Sequence, residues 1–234
     1  MAFFRSPRGD GGTFFIPYSI FRSCTPVLPQ ILSILVSSIV ITGAAALTRF
    51  GDTDASWAAA RSGASGGRKR DAFPVVDIDE ALLQGDPAQD RAARMAVQAA
   101  REAARQAGLS SAPDRRRAVR VGSARSTEHS RQAAAALAAV PRELSTRTML
   151  AGPAFAVASA LGAAGTVSLV SATCASSTVA VIQAMALLRA GQAEFVIAGG
   201  AEACLTAPYL RQIQALSAGA YFFACFFSIN LISC

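Results

Sequence analysis

The clearest patterning lies in the second half of the chain, where apolar runs of two different periods alternate. Thr166 to Ser171 (TVSLVS) alternates β-branched or apolar residues with small polar ones, as a strand does, and runs directly into Ala172, Thr173 and Cys174. Ala175 to Arg189 (ASSTVAVIQAMALLR) is a largely uncharged helix with Val179, Ile182, Met185 and Ala186 on one face, ended by Gly191. Glu194 to Ala198 (EFVIA) is a second buried strand, punctuated by Gly199 and Gly200. Strand, helix, strand with short connections is a βαβ unit, and parallel strands of this kind need helices on both faces.

Upstream, DRAARMAVQAAREAARQAGL is the strongest helical stretch. Asp90 is its N-cap candidate, Gly108 its C′ residue, and Ala93, Val97, Ala100 and Ala104 form a small apolar face suited to packing on a sheet. Ala118 to Gly122 (AVRVG) predicts a short strand, Ser130 to Val140 a short Ala-rich helix, and Ala154 to Leu161 a helix ending at Gly162. Ser62 to Arg70 (SGASGGRKR) reads as a loop and Asp71 to Gln89 as irregular. The fold class is α/β: a mixed, mainly parallel sheet covered by helices, of βαβαβ type.

The N-terminal region is less regular. No charged residue falls between Arg22 and Arg49, and Gln30 to Thr48 is long and apolar enough for a membrane span. Yet SIVITGAAALTRFGDT is β-branched before Gly43 and loop-like after it, so a buried strand ending in a turn is preferred, with membrane attachment as the alternative. Residues 1–37 are then an N-terminal extension, read as a targeting peptide or a mispredicted exon. Residues 38–218 form the domain. Residues 219–234 (GAYFFACFFSINLISC) are an aromatic, apolar tail too short to span a bilayer comfortably.

Composition adds limits. At 234 residues, 52% apolar and 16% charged, the chain can bury a sizeable core. Its net charge of +7 includes Arg115, Arg116, Arg117 and Arg120, which sit without aromatic interleaving, zinc-ligand spacing or a reading helix. Nucleic-acid binding is therefore not expected; a solvated arginine surface that could steer an acidic protein partner is. Five cysteines, at 24, 174, 204, 225 and 234, form no CxxC pair, which argues against a zinc site and a disulfide framework. A reducing compartment follows: cytoplasmic, or organellar if residues 1–37 target a mitochondrion or plastid. His129, the single histidine, is read as solvent-facing.

Cys174 carries the candidate chemistry. At a strand-to-helix junction the first N–H groups of the helix favour thiolate over thiol, and the same groups can stabilise an oxyanion when the sulfur attacks a thioester. The small residues Ala172, Ala175, Ser176 and Ser177 leave room for an acyl chain. A small buried hydrophobe is the competing reading, and local pattern does not separate the two.

A resemblance does. TVSLVSATCASSTVAVIQAMALLRAGQAEFVIAGGAEA resembles the active-site region of β-ketoacyl synthases of the thiolase superfamily: a strand into T-A-C-[AS]-S, an apolar helix, then a strand into A-G-G-[AT]-E-A. IVITGAAALTRFGDTDASWAAARSG resembles the family's opening strand and loop, RAARMAVQAAREAARQAGL its first long helix, and PYLRQIQALSAG the run after the A-G-G signature. The similarity covers about residues 38 to 218. Thr173 stands where the family usually has alanine, and the stretch from Gly122 to Pro141 is shorter than usual.

The resemblance implies a thiolase-like N-terminal half in which Cys174 accepts an acyl group from acyl carrier protein or a coenzyme A thioester. Malonyl carrier protein then loses carbon dioxide and attacks that acyl group, without a metal or redox cofactor. Complete family members are expected to be homodimers. Relatives that only set chain length replace the cysteine, and Cys174 argues against that role. A thiolase fits the signature less well, and a polyketide ketosynthase nearly as well as a fatty acid one. Glu202 and Cys204 are read as structural. The family's second half supplies two histidines, a lysine and a second oxyanion donor; with none here, the chain is expected to be truncated, to stop at acyl loading, and to expose apolar surface.

Overall fold

The structure, a computed structural model, describes residues 2–5, 39–64, 68–70, 73–75, 78–137 and 147–215. The elements are strands β1 (Ala2–Arg5), β2 (Val40–Ala44), β3 (Arg68–Arg70), β4 (Phe73–Val75), β5 (Arg117–Gly122), β6 (Val167–Val170) and β7 (Phe195–Gly200). The helices are α1 (Thr53–Arg61), α2 (Arg91–Gln106), α3 (Glu128–Ala135), α4 (Gly152–Ala160), α5 (Ser176–Arg189) and α6 (Ala207–Ala215), with a 3₁₀ turn at Glu80–Leu82.

Five strands form one mixed sheet in the order β2-β1-β7-β5-β6. β5 pairs in parallel with β6 on one side and β7 on the other, so α5 carries the chain across β5 in a βαβ crossover. β1 runs antiparallel to both β2 and β7. Four residues of the stretch expected as an extension thus lie inside the sheet; residues 6–38 and the expected tail, 219–234, lie outside the described residues. Val40–Ala44 is a strand, as its β-branched residues predict, and no helix among the described residues is long and apolar enough to cross a membrane.

Each face of the sheet has its own apolar cluster. Val119, Val121 and Ile197 pack against Ala96, Ala100 and Ala103 of α2 and Ala154, Val157 and Ala158 of α4. Ala118, Val196 and Ala198 pack against Val181, Ala184 and Leu188 of α5. The small residues of α2 let it lie very close to β2: a Cβ on Gly43 would come 2.1 Å from the Ala103 carbonyl oxygen. The helix begins as expected, with the Asp90 carboxylate accepting from the Ala92 N–H at 2.9 Å. Its second oxygen accepts from Ser130 N–H at 3.0 Å, so one buried acid organises the starts of α2 and α3.

Several sequence expectations change. α1 occupies residues read as loop, capped by Asp52, which accepts from Ala55 N–H at 3.0 Å. The polar run ending at Arg70 contributes β3 to an antiparallel hairpin with β4. α3 starts at Glu128 and ends at Ala135, and residues 138–146 lie outside the described residues. α5 turns Ala180, Val181, Ala184 and Leu188 inward and leaves Ile182 59% exposed, because a helix apolar all round offers no periodicity to choose a face by.

The arginine surface is also corrected in part. Arg116 is exposed and pairs with Glu194 at 2.6 Å, but Arg117 and Arg120 are buried on β5. Arg117 donates to the carbonyls of Ser110, at 2.8 Å, and of Leu161, the C-cap of α4, where a cation meets the negative end of the helix. Arg120 donates to the Thr166 carbonyl at 3.0 Å and its hydroxyl at 3.1 Å; burial lowers its pKa.

Candidate active site

The parallel register brings three loops together. Gly122 of β5 is aligned with Val170 of β6 and with Gly200 of β7, so the segments that follow the three strands leave the sheet side by side at its carboxyl edge. Ser123 N–H donates to the Val170 carbonyl at 3.0 Å, and Ala201 N–H donates to the Gly122 carbonyl at 3.1 Å, tying each neighbour to the loop after β5.

The middle loop holds Cys174. Ala172 to Ala175 form a tight turn closed by Ala175 N–H to Ala172 C=O at 3.0 Å, with Cys174 third in the turn and exposed. Thr173, second in the turn, has φ 50°. A β-branched residue in this left-handed region stores strain of roughly 1–3 kcal/mol, which surrounding contacts must hold in place. α5 begins two residues after the cysteine, and its N-cap, Ala175, makes no side-chain capping bond. The turn is pressed against β5: a Cβ on Gly122 would lie 2.3 Å from the Ser176 carbonyl carbon and 2.4 Å from Ser177 N.

The flanking residues divide unlike the sequence reading. Thr173 and Ala175 are exposed beside Cys174, but Ser176 and Ser177 are buried, so these two serines line no open approach to the sulfur. Ser176 instead bonds back into the turn: its Oγ accepts from Ala172 N–H at 2.9 Å and donates to Thr173 C=O at 2.6 Å. Its sequence signal is a hydroxyl at the first residue of a largely uncharged helix.

The loop after β7 is more closed. The Glu202 carboxylate accepts from Ala124 N–H at 2.6 Å, Arg125 N–H at 3.2 Å and Ser123 Oγ at 3.3 Å, clamping the loop after β5. Burial pushes its pKa up, and the backbone donors oppose that. Cys204 is 1% exposed, and burial, with Glu202 adding to it, raises its thiol pKa. Arg125 lies 4.6 Å from the Tyr209 ring centre and donates to Gln212 Oε1 at 2.8 Å. His129 is on α3, half-buried rather than solvent-facing. Among the described residues, no group of three or more His, Cys, Asp or Glu could hold a metal ion.

The family model for the β-ketoacyl synthase N-terminal domain matches residues 58–220, a span that contains all three loops. The chain belongs to this family. No curated protein matches it. Among solved structures, the ishigamide ketosynthase/chain length factor superposes with TM-score 0.64 at 22% identity, over 77% of this chain and 57% of that one. A β-ketoacyl synthase from Burkholderia phymatum STM815 gives TM-score 0.60 at 24% identity, over 76% and 49%. A type II PKS acyl-carrier protein in complex with its ketosynthase bound to the hexaketide gives 0.62 at 23%, over 76% and 48%. At these identities the likeness is one of fold: a mixed α/β ketosynthase N-terminal domain with a parallel sheet flanked by helices. The chain spans about half the length of these structures.

Proposed function

We propose that Cys174 is the acyl-accepting nucleophile of a β-ketoacyl synthase and that this chain performs the acyl-loading step. The observation that carries the reading is the exposed thiol held in a tight turn immediately before α5. Its thiolate attacks the carbonyl carbon of an acyl thioester, forming a carbon–sulfur bond and an oxyanion. The Ala175 and Ser176 N–H groups are engaged within the turn, so it is the positive end of α5 as a whole that favours this negative charge. Collapse breaks the bond to the carrier sulfur, which leaves as thiolate and takes up the proton that Cys174 gave up. The balance is acyl carrier thioester plus cysteine thiol giving acyl-cysteine plus carrier thiol.

The donor class is an acyl group on acyl carrier protein or coenzyme A, of fatty acid or polyketide synthesis. The carrier protein seated on a ketosynthase of the same fold supports that choice. In the family that this chain resembles, two histidines serve the condensing step, in which malonyl carrier protein loses carbon dioxide and attacks the loaded acyl group. The proposal concerns the loading step, whose nucleophile and turn are described above.

The test is mass spectrometry of purified chain after incubation with octanoyl coenzyme A or octanoyl carrier protein. One octanoyl group should appear on the peptide containing Cys174 and vanish with hydroxylamine. A wild-type chain that gains no adduct, or a Cys174→Ala chain that gains the same one, removes the reading.

A further inference from the structure

The Ser176 side chain makes two hydrogen bonds, and both run backward. A serine that caps a helix accepts from an N–H further along the helix. Ser176, the first residue of α5, does the reverse: its Oγ takes the Ala172 N–H and gives its proton to the Thr173 carbonyl. Those two groups span the backbone torsions of Ala172 and Thr173, and Thr173 is the residue at φ 50°. The Thr173 carbonyl also accepts from Ser176 N–H at 3.2 Å, so one residue holds it twice. Ser176 is 4% exposed, so water is poorly placed to replace its hydroxyl.

Nor can Ser176 itself drift. Its backbone lies against the α-carbon of Gly122, where not even a methyl group fits. The hydroxyl is thus anchored to β5 on one side and bonded to the strained turn on the other. Thr173 is exposed, so no side-chain packing fixes its conformation; its own Oγ1 reaches only the Ala172 carbonyl, at 2.8 Å. Without the Ser176 hydroxyl, threonine's preference for negative φ pulls the turn open and swings the next residue, Cys174.

Resting on the reading of Cys174 given above, we infer that Ser176 is a positioning residue: its hydroxyl holds Thr173 in the left-handed conformation and so fixes where the Cys174 sulfur is presented. The residue acts through the turn.

The test uses wild type, Ser176→Ala, Thr173→Gly and the double variant. Two rates are read at Cys174 by peptide mass spectrometry: loading from octanoyl coenzyme A and alkylation by iodoacetamide. Ser176→Ala should slow loading by roughly ten- to a hundredfold, the effect of a nucleophile displaced by a fraction of an ångström to an ångström. Thr173→Gly alone should load within about threefold of wild type, because glycine enters positive φ without penalty. The double variant should recover most of the lost rate, since glycine makes the hydroxyl unnecessary for the turn's shape.

A hydroxyl that served only stability would give no such recovery. Ser176→Ala loading at the wild-type rate overturns the inference, as does a folded double variant no faster than Ser176→Ala. If Ser176→Ala is unfolded and Thr173→Gly does not restore it, the serine is a packing group and the inference is lost. Failure of the underlying reading looks different: wild type does not load, or Cys174→Ala still does.

Discussion

Two thiols stand at the carboxyl edge of one sheet in opposite surroundings. Cys204, beyond β7, is 1% exposed, beside the partly buried Glu202 carboxylate, and its pKa is raised by burial. Cys174, beyond β6, is exposed in a turn that leads into a helix. A buried thiol kept protonated is a small hydrophobe; an exposed one facing a helix start can act as an anion. A helix follows each, α5 two residues after Cys174 and α6 three residues after Cys204; what separates them is burial, because the chain after Cys204 is packed inward through Thr206, Tyr209 and Leu210.

The sharpest way to break the contrast is to delete each sulfur in turn. Cys174→Ala should abolish octanoyl loading while leaving the urea midpoint nearly unchanged. Cys204→Ala should keep loading and lower stability by about 1–2 kcal/mol, the loss expected for a buried heavy atom and the small cavity it leaves. Octanoyl found on Cys204 would reverse the two assignments.

A pair of glycine variants separates damage to the turn from damage to the fold. Gly122→Ala drives a methyl group into the Ser176 backbone, and Gly43→Ala drives one into the Ala103 carbonyl; neither neighbour is a flexible side-chain end. Each should cost about 3 kcal/mol by overpacking, read as a shifted denaturant midpoint at constant slope. Only Gly122→Ala should also slow loading of the molecules that remain folded, because only that methyl pushes on the Cys174 turn.

Glu202 tests the closed side. Removing its carboxylate in Glu202→Ala strands the Ala124 and Arg125 N–H groups and should cost about 2–3 kcal/mol. Glu202→Gln keeps an acceptor and should cost less. The pH dependence has a definite sign: the folded-state pKa is raised, so the native state holds its proton above the unfolded value of 4.5. The stability that this group contributes is complete below pH 4.5 and is lost as pH rises through the folded value. Wild type should therefore lose stability relative to Glu202→Gln over that rise, measured as the difference in urea midpoints. A difference that grows in the opposite direction would mean that the carboxylate is favoured by its backbone donors over the cost of burial.

Much of this arrangement could be read from the residues. Apolar runs of strand or helix length, with Asp90, Gly108 and Gly191 marking ends, locate β5, β6, α5, β7 and α2 to within a residue or two, although the buried face of α5 could not be read from a helix apolar all round. The two serines after Ala175 were legible only as small residues, since hydrogen-bond direction is set by a backbone turn that no periodicity encodes. Arg117 and Arg120 mislead for a related reason: charge predicts solvent, yet backbone carbonyls accept from the Nη1 ends of both guanidinium groups in the interior. α1 was hidden because its apolar residues are nearly all alanine and its one large one, Trp57, is 52% exposed, leaving the Asp52 cap as its main sign.

The smallest expected effects concern the two non-glycine residues at positive φ among the described residues, one in each kind of loop: Ser126 at 51° and Thr173 at 50°. Ser126 is 2% exposed, and its hydroxyl donates to the Leu150 carbonyl while its N–H donates to Ser123 Oγ at 2.8 Å. Glycine there relieves strain but strands a carbonyl, so Ser126→Gly should lower stability by about 1 kcal/mol. Thr173 is exposed, and the bond that it loses is replaced by water. Strain relief and the greater freedom of glycine in the unfolded chain then nearly cancel, and Thr173→Gly should shift stability by less than about 1 kcal/mol in either direction. Equal losses at both positions would mean that the turn at Cys174 is as enclosed as the loop beside Cys204, and the distinction between the two thiols would fail with it.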